Sequence, residues 1–189
     1  MIWLFLLAGL ALILFALELY SILKDRTDEG PSYWRKESLP LSIEMYKDIS
    51  SCESIVHAIE DAVSFWNDSL GLTVFTRDSS SKGSTVSILP YPTFISFGMK
   101  EHHPYICSRI ESDKGTITSA LIYLDREYAE DASERDSDTL SRSIAHELGH
   151  VLGLEDDWFA HSVMYCNHFP QVAEITPKDK AILHTFYGS

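Results

Sequence analysis

His146-Glu147-Leu148-Gly149-His150-Val151-Leu152-Gly153-Leu154-Glu155-Asp156 is the stretch on which the reading of this chain turns. On a helix, residues four apart share a face, so His146 and His150 can present two imidazole nitrogens to one Zn²⁺. Glu147 then stands beside the metal rather than on it. From there a carboxylate can accept a proton from an attacking water and return it to a leaving nitrogen. Residue types and spacing therefore point to metal-assisted hydrolysis of a peptide bond. Two histidines at this spacing also occur on ordinary solvated helices, so the flanking residues decide.

Gly153 tolerates a positive φ and can end the helix three residues after His150, turning the chain so that a side chain near 156 meets the metal from a third direction. Asp156 stands there, with Glu155, Asp157 and His161 as competing donors. Further on, Ser162-Val163-Met164-Tyr165 places a methionine in an apolar turn. HELGHVLGLED followed by SVMY resembles the metzincin zinc endopeptidases, whose long motif is HExxHxxGxxH, or D in the last place, with a methionine turn beneath the metal. The aspartate resembles the snapalysin type of that motif.

The resemblance implies an α+β, metzincin-like fold, with a twisted mixed β-sheet of about four to five strands, a backing helix, an active-site helix and a C-terminal helix. It implies Zn²⁺ held by His146, His150 and Asp156, Glu147 as general base, and Met164 as the apolar floor of the site. Phe169 and Pro170, after the turn, are candidates for the wall of a substrate pocket. The implied partner is a protein or peptide substrate. ITPKDKAILHTFYG near the end of the chain resembles the closing helix of matrixins. Two rival readings are a gluzincin-type peptidase using Glu174 as third ligand and a catalytically idle binding module of the same fold.

Residues 2–23 read IWLFLLAGLALILFALELYSIL, long enough for one transmembrane helix. Neither a basic start nor a small-x-small cleavage site is present, so an uncleaved anchor over residues 1–23 is favoured over a signal peptide. Lys24, Arg26, Arg35 and Lys36 follow the span, and the positive-inside rule alone would leave the domain in the cytoplasm. The family resemblance implies an extracytoplasmic peptidase, and the outward orientation is expected. Asn67-Asp68-Ser69 is a glycosylation acceptor by pattern. Charged residues 24–36, with Gly30-Pro31, form a tether, leaving 37–189 as one domain.

A formal charge of -13 and a pI near 4.9 exclude a nucleic-acid binder, which would carry a basic face. Cys52, Cys107 and Cys166 are too few for a disulfide framework, and one pair could bridge in an oxidising compartment.

Within the domain, 39–46 alternates as a strand, and Ser50 with Glu53 has the form of a capping box for a helix carrying Ile55, Ile59, Val63 and Trp66. Residues 72–76 and 85–89 are short strands around a polar loop. Prolines, glycines and the His102-His103 pair mark 90–115 as a long loop. The run 116–124 is β-prone; the metzincin resemblance implies that it is the edge strand that rims the cleft and aligns an extended peptide, with a buried central strand as the alternative. After the charged stretch 126–138, the active helix carries a core stripe of Leu140, Ile144, Leu148, Val151 and Leu152, separate from its histidines. Thr176-Pro177-Lys178-Asp179 caps the last helix.

Overall fold

A computed structural model describes residues 31–78, 84–91, 106–135, 137–166 and 174–188. The alternation after Pro40 produces a strand, β1 (Leu41–Met45). A short helix, α1 (Lys47–Ser50), leads to the long α2 (Glu53–Leu70). This long helix buries Ile55, Ile59, Val63 and Trp66 and ends at Gly71. The capping box does not form, because Ser50 closes α1 instead, its hydroxyl donating to Lys47 O. Cys52 precedes α2 and supplies no side-chain cap.

Four strands follow in the sheet: β2 (Phe75–Thr76), β3 (Thr85–Pro90), β4 (Ile106–Asp113) and β5 (Thr116–Leu124). Their order with β1 is β2-β1-β3-β5-β4. Neighbours pair in parallel except β4, which runs antiparallel to β5. With the helices, this mixed five-stranded sheet is the α+β, metzincin-like architecture.

Two expectations are corrected by this topology. The loop expected over 90–115 is in its last part the strand β4, joined to β5 through Lys114 and Gly115, both at positive φ (50° and 74°). Paired positive-φ residues form the tight turn whose twist suits a hairpin. β4 buries Ile106, while 109 and 111–113 are exposed, so its composition is that of a loop. The edge position expected of 116–124 consequently belongs to β4. β5 is hydrogen-bonded on both sides, with Ile117, Ala120, Ile122 and Leu124 buried.

The charged stretch after β5 is also regular. It folds as α3 (Arg126–Arg135), ahead of α4 (Ser137–Val151), which carries the histidines; α5 (Pro177–Tyr187) closes the domain. Thr176 caps α5, accepting from Asp179 N at 3.1 Å, with Pro177 in the first turn. The stripe Leu140, Ile144, Leu148, Val151 and Leu152 is fully buried. α4 packs against α2 and lies beside β4.

The expected tether boundary falls inside the core, since Tyr33 and Trp34 are both buried. Trp34 Nε1 donates to Val151 O at 2.8 Å, and the Tyr187 hydroxyl donates to Leu152 O at 2.9 Å. The last-turn carbonyls of a helix lack partners within it, so these two bonds satisfy groups that burial would otherwise strand. Trp34→Phe keeps an aromatic ring, though a smaller one, and leaves Val151 O without its donor. We expect a loss of about 1–3 kcal/mol, read by urea unfolding of the metal-free protein.

Asn67 has a structural task rather than the surface one its pattern suggested. Its Nδ2 donates to Phe75 O at 3.0 Å and its Oδ1 accepts from Val74 N and Phe75 N, so the amide a glycan would take is engaged. All three cysteines are free. No helix among the described residues is long and apolar enough to cross a membrane. The anchor expected over 1–23 and the His102-His103 pair lie outside those residues.

Candidate metal centre

α4 ends in a turn that builds the site. Gly153 N donates to His150 O at 2.9 Å and Leu154 N to Gly149 O at 3.0 Å, the paired bonds of a Schellman close. Gly153 adopts φ 92°, and a Cβ there would overlap Ser32 O and crowd the Tyr33 ring. Glycine is required twice over, by conformation and by space. The turn aims Leu154 O back at His150 and brings Asp156 over the helix.

His150 Nδ1–H donates to Leu154 O and His146 Nδ1–H to Val163 O, each at 2.9 Å. A carbonyl can only accept, so each Nδ1 carries the ring proton, and in the neutral ring Nε2 keeps a lone pair. The two Nε2 atoms lie 3.1 Å apart, and Asp156 Oδ1 is 3.5 Å from each. Two lone pairs and a carboxylate oxygen converging on one point repel one another and favour a cation between them. These three atoms form a near-equilateral triangle, with a point about 2 Å from each corner, which is the bond length of zinc to nitrogen or oxygen. Burial, and then the neighbouring His150, hold the His146 imidazole below its ordinary pKa, which keeps it neutral for such a role.

Among the described residues, His146, His150 and Asp156 are the one group of His, Cys, Asp or Glu side chains close enough to share a metal. The rivals are elsewhere. Asp157 pairs through its backbone, its N donating to Met164 O at 2.6 Å and its O accepting from Cys166 N at 2.9 Å. Glu174 is exposed and uses its carbonyl, which accepts from Val163 N at 2.8 Å. Glu155 and His161 are exposed and outside the group. Phe169 and Pro170 lie outside the described residues.

Met164 is fully buried directly beneath the helix. A Cβ on Gly149 would overlap its Sδ and come within 3.0 Å of Trp66 Cζ2. Trp66 in turn donates from Nε1 to Ala145 O at 2.8 Å, tying α2 to the turn of α4 that carries the histidines. A glycine inside a helix costs about 1 kcal/mol relative to alanine, so Gly149 is the residue through which the sequence signals this space requirement. The carbonyls of Leu154 and Val163, which fix the tautomers, leave no trace in residue types.

Glu147 is buried, 5% exposed, on the same helix between the histidines. Its charge is felt by Cys107 of β4: burial, and then the Glu147 charge, push the thiol up, while Tyr91 hydrogen-bonds to it. β4 lies beside the helix that carries the histidines. Spacing on the sequence did not reveal this neighbour, because it depends on the hairpin.

The profile of the matrixin family matches residues 33–188, which spans the sheet, all five helices and the metal triangle. No curated protein matches the chain. With a match over most of its length and an architecture of the same kind, the chain belongs to the matrixin family of zinc metallopeptidases.

Proposed function

We propose that this protein is a zinc-dependent endopeptidase held at a membrane by residues 2–23, with its peptidase domain facing away from the cytoplasm. His146, His150 and Asp156 hold the metal and Glu147 transfers the protons. The observation that carries the reading is the triangle of His146 Nε2, His150 Nε2 and Asp156 Oδ1, with both opposite ring nitrogens committed to backbone carbonyls. A zinc ion there supplies a Lewis acid for the scissile carbonyl and acidifies an attacking water.

The remaining chemistry belongs to the chain. Glu147 accepts the proton of the attacking water and delivers it to the departing amine, so one carboxylate serves as base and then acid. Its burial shields the transfer from bulk water. The outer edge of β4, unpaired among the described residues, takes the substrate as an added strand, reading backbone rather than a particular sequence. Met164 performs no chemistry; it fills the space beneath α4 and fixes the helix that carries the ligands.

Zinc content of the purified protein tests the ligand set. Wild type should retain one equivalent through dialysis against a mild chelator. Asp156→Ala should bind at least about 10–100-fold more weakly, because removing even a supporting group of a zinc site costs that much. Glu174→Ala should match wild type. The reverse pattern would move the third ligand to Glu174 and sink this assignment. The idle-module reading predicts full zinc and no cleavage of a generic protein substrate.

A further inference from the structure

Trp158 and Phe159, two and three residues past Asp156, are 85% and 69% exposed. Solvent-facing aromatics this large and adjacent mark a contact surface more often than chance. Their loop is not loose. Asp157 is bonded on both backbone sides to 164 and 166, Phe159 N donates to Asp157 Oδ1 at 3.2 Å, and Ser162 N donates to Phe159 O at 2.9 Å. The aromatic pair is thus held out on a pinned turn, and docking it costs little ordering of the backbone.

The place where the chain enters the domain is close by. Ser32 and Tyr33 close over Gly153, and the Glu155 charge acts on the Tyr33 hydroxyl. Phe186, half exposed, stacks on Tyr33 with ring centroids 3.5 Å apart. Of the large exposed apolar side chains among the described residues, Phe186 lies against Tyr33, and Trp158 and Phe159 follow the turn at Gly153 that Ser32 and Tyr33 cover. Trp158 is five residue steps past Gly153, a reach of at most about 18 Å. Residues 24–30, between the apolar span and the described domain, reach at most about 25 Å. Whatever bilayer holds residues 2–23 is consequently within touch of this end, at high effective concentration.

We propose that Trp158 and Phe159 dock into the interface of the same bilayer, setting the metal centre at the membrane surface. This rests on the anchor proposed above. Indole and phenyl side chains suit the headgroup level, where one edge is apolar and the other wet. Glu155, Asp156 and Asp157 lie just before the pair, so the fitting surface is zwitterionic rather than anionic. A domain docked this way reaches segments of other membrane proteins close to the bilayer.

Full-length protein reconstituted in phosphatidylcholine vesicles carrying a photoactivatable phosphatidylcholine tests the proposal, with crosslinks located by mass spectrometry. Crosslinks are expected in 2–23 and at Trp158 or Phe159. In the Trp158→Ser, Phe159→Ser double variant, those in 157–161 should fall about tenfold or more. Those in 2–23 should persist, and cleavage of a soluble peptide should be unchanged. Crosslinks in 2–23 with none in 157–161 would overturn the docking and leave the anchor standing. Their absence from 2–23 would overturn the anchor; absence from both overturns both. A double variant that cuts soluble peptide several-fold more slowly, with lipid crosslinks intact, would make the pair a substrate subsite and end the membrane reading.

Discussion

Glu147→Gln is expected to keep the fold and the zinc and to cleave peptides about 10²–10⁴-fold more slowly, the span that positioned general acid–base groups supply. Glutamine has nearly the same shape and fits the same buried place. It cannot accept the proton of an attacking water, so the loss should appear in kcat rather than in KM. Zinc content should equal wild type, because the metal triangle is made by His146, His150 and Asp156. Single-turnover cleavage of a fluorogenic peptide, beside zinc measured on the same sample, gives both numbers. Undiminished cleavage would remove Glu147 from the mechanism. Lost zinc would show that it supports the metal instead.

Much of this site was legible before the fold was known, and the reason is geometric. His146, Glu147 and His150 lie within one helical turn and a residue, so helix periodicity alone sets their relation. Gly153 carried a second local signal, and its φ of 92° bears that out. What the sequence hid depends on distant pairing. β4 has the polar, one-sided composition of an edge strand, which looks like a loop until β5 is placed beside it. Cys107 feels the Glu147 charge only through that pairing. α3 was unreadable for another reason: its charged residues have no apolar stripe clear enough to show helical period, although Ala129 is buried. Tyr33 and Trp34 were assigned to a tether on the charges around them, whereas their rings belong to the core.

Gly153→Ala is the second large effect to expect, and it should strike stability and metal together. A side chain in the left-handed region costs roughly 1–2 kcal/mol. The added methyl also meets Ser32 O and the Tyr33 ring, and forcing a group into a filled space adds roughly 1–3 kcal/mol. One contact is a backbone carbonyl, which no change of rotamer can relieve. A fall in melting temperature on the order of 5–15 °C follows for a domain of this size. Relief by rotation of the turn would move Leu154 O from His150 Nδ1 and carry Asp156 out of the triangle, so zinc affinity should fall as well. Calorimetry with and without zinc separates the two losses. A variant as stable as wild type would mean that the turn has another low-energy form.

The side-chain clasp on α4 also has a meaning in time. Val151 O finds its donor Trp34 already made, more than a hundred residues earlier, whereas Leu152 O waits for Tyr187, made 35 residues later. Chains emerge from the ribosome in order, and a contact cannot form before both partners exist. The histidines and Asp156 are therefore made before the second bond that fastens the end of their helix can form. Tyr187 must leave the exit tunnel before that turn can lock. A nascent chain arrested at residue 165 would carry every ligand and the Trp34 bond and yet lack the Tyr187 half of the clasp.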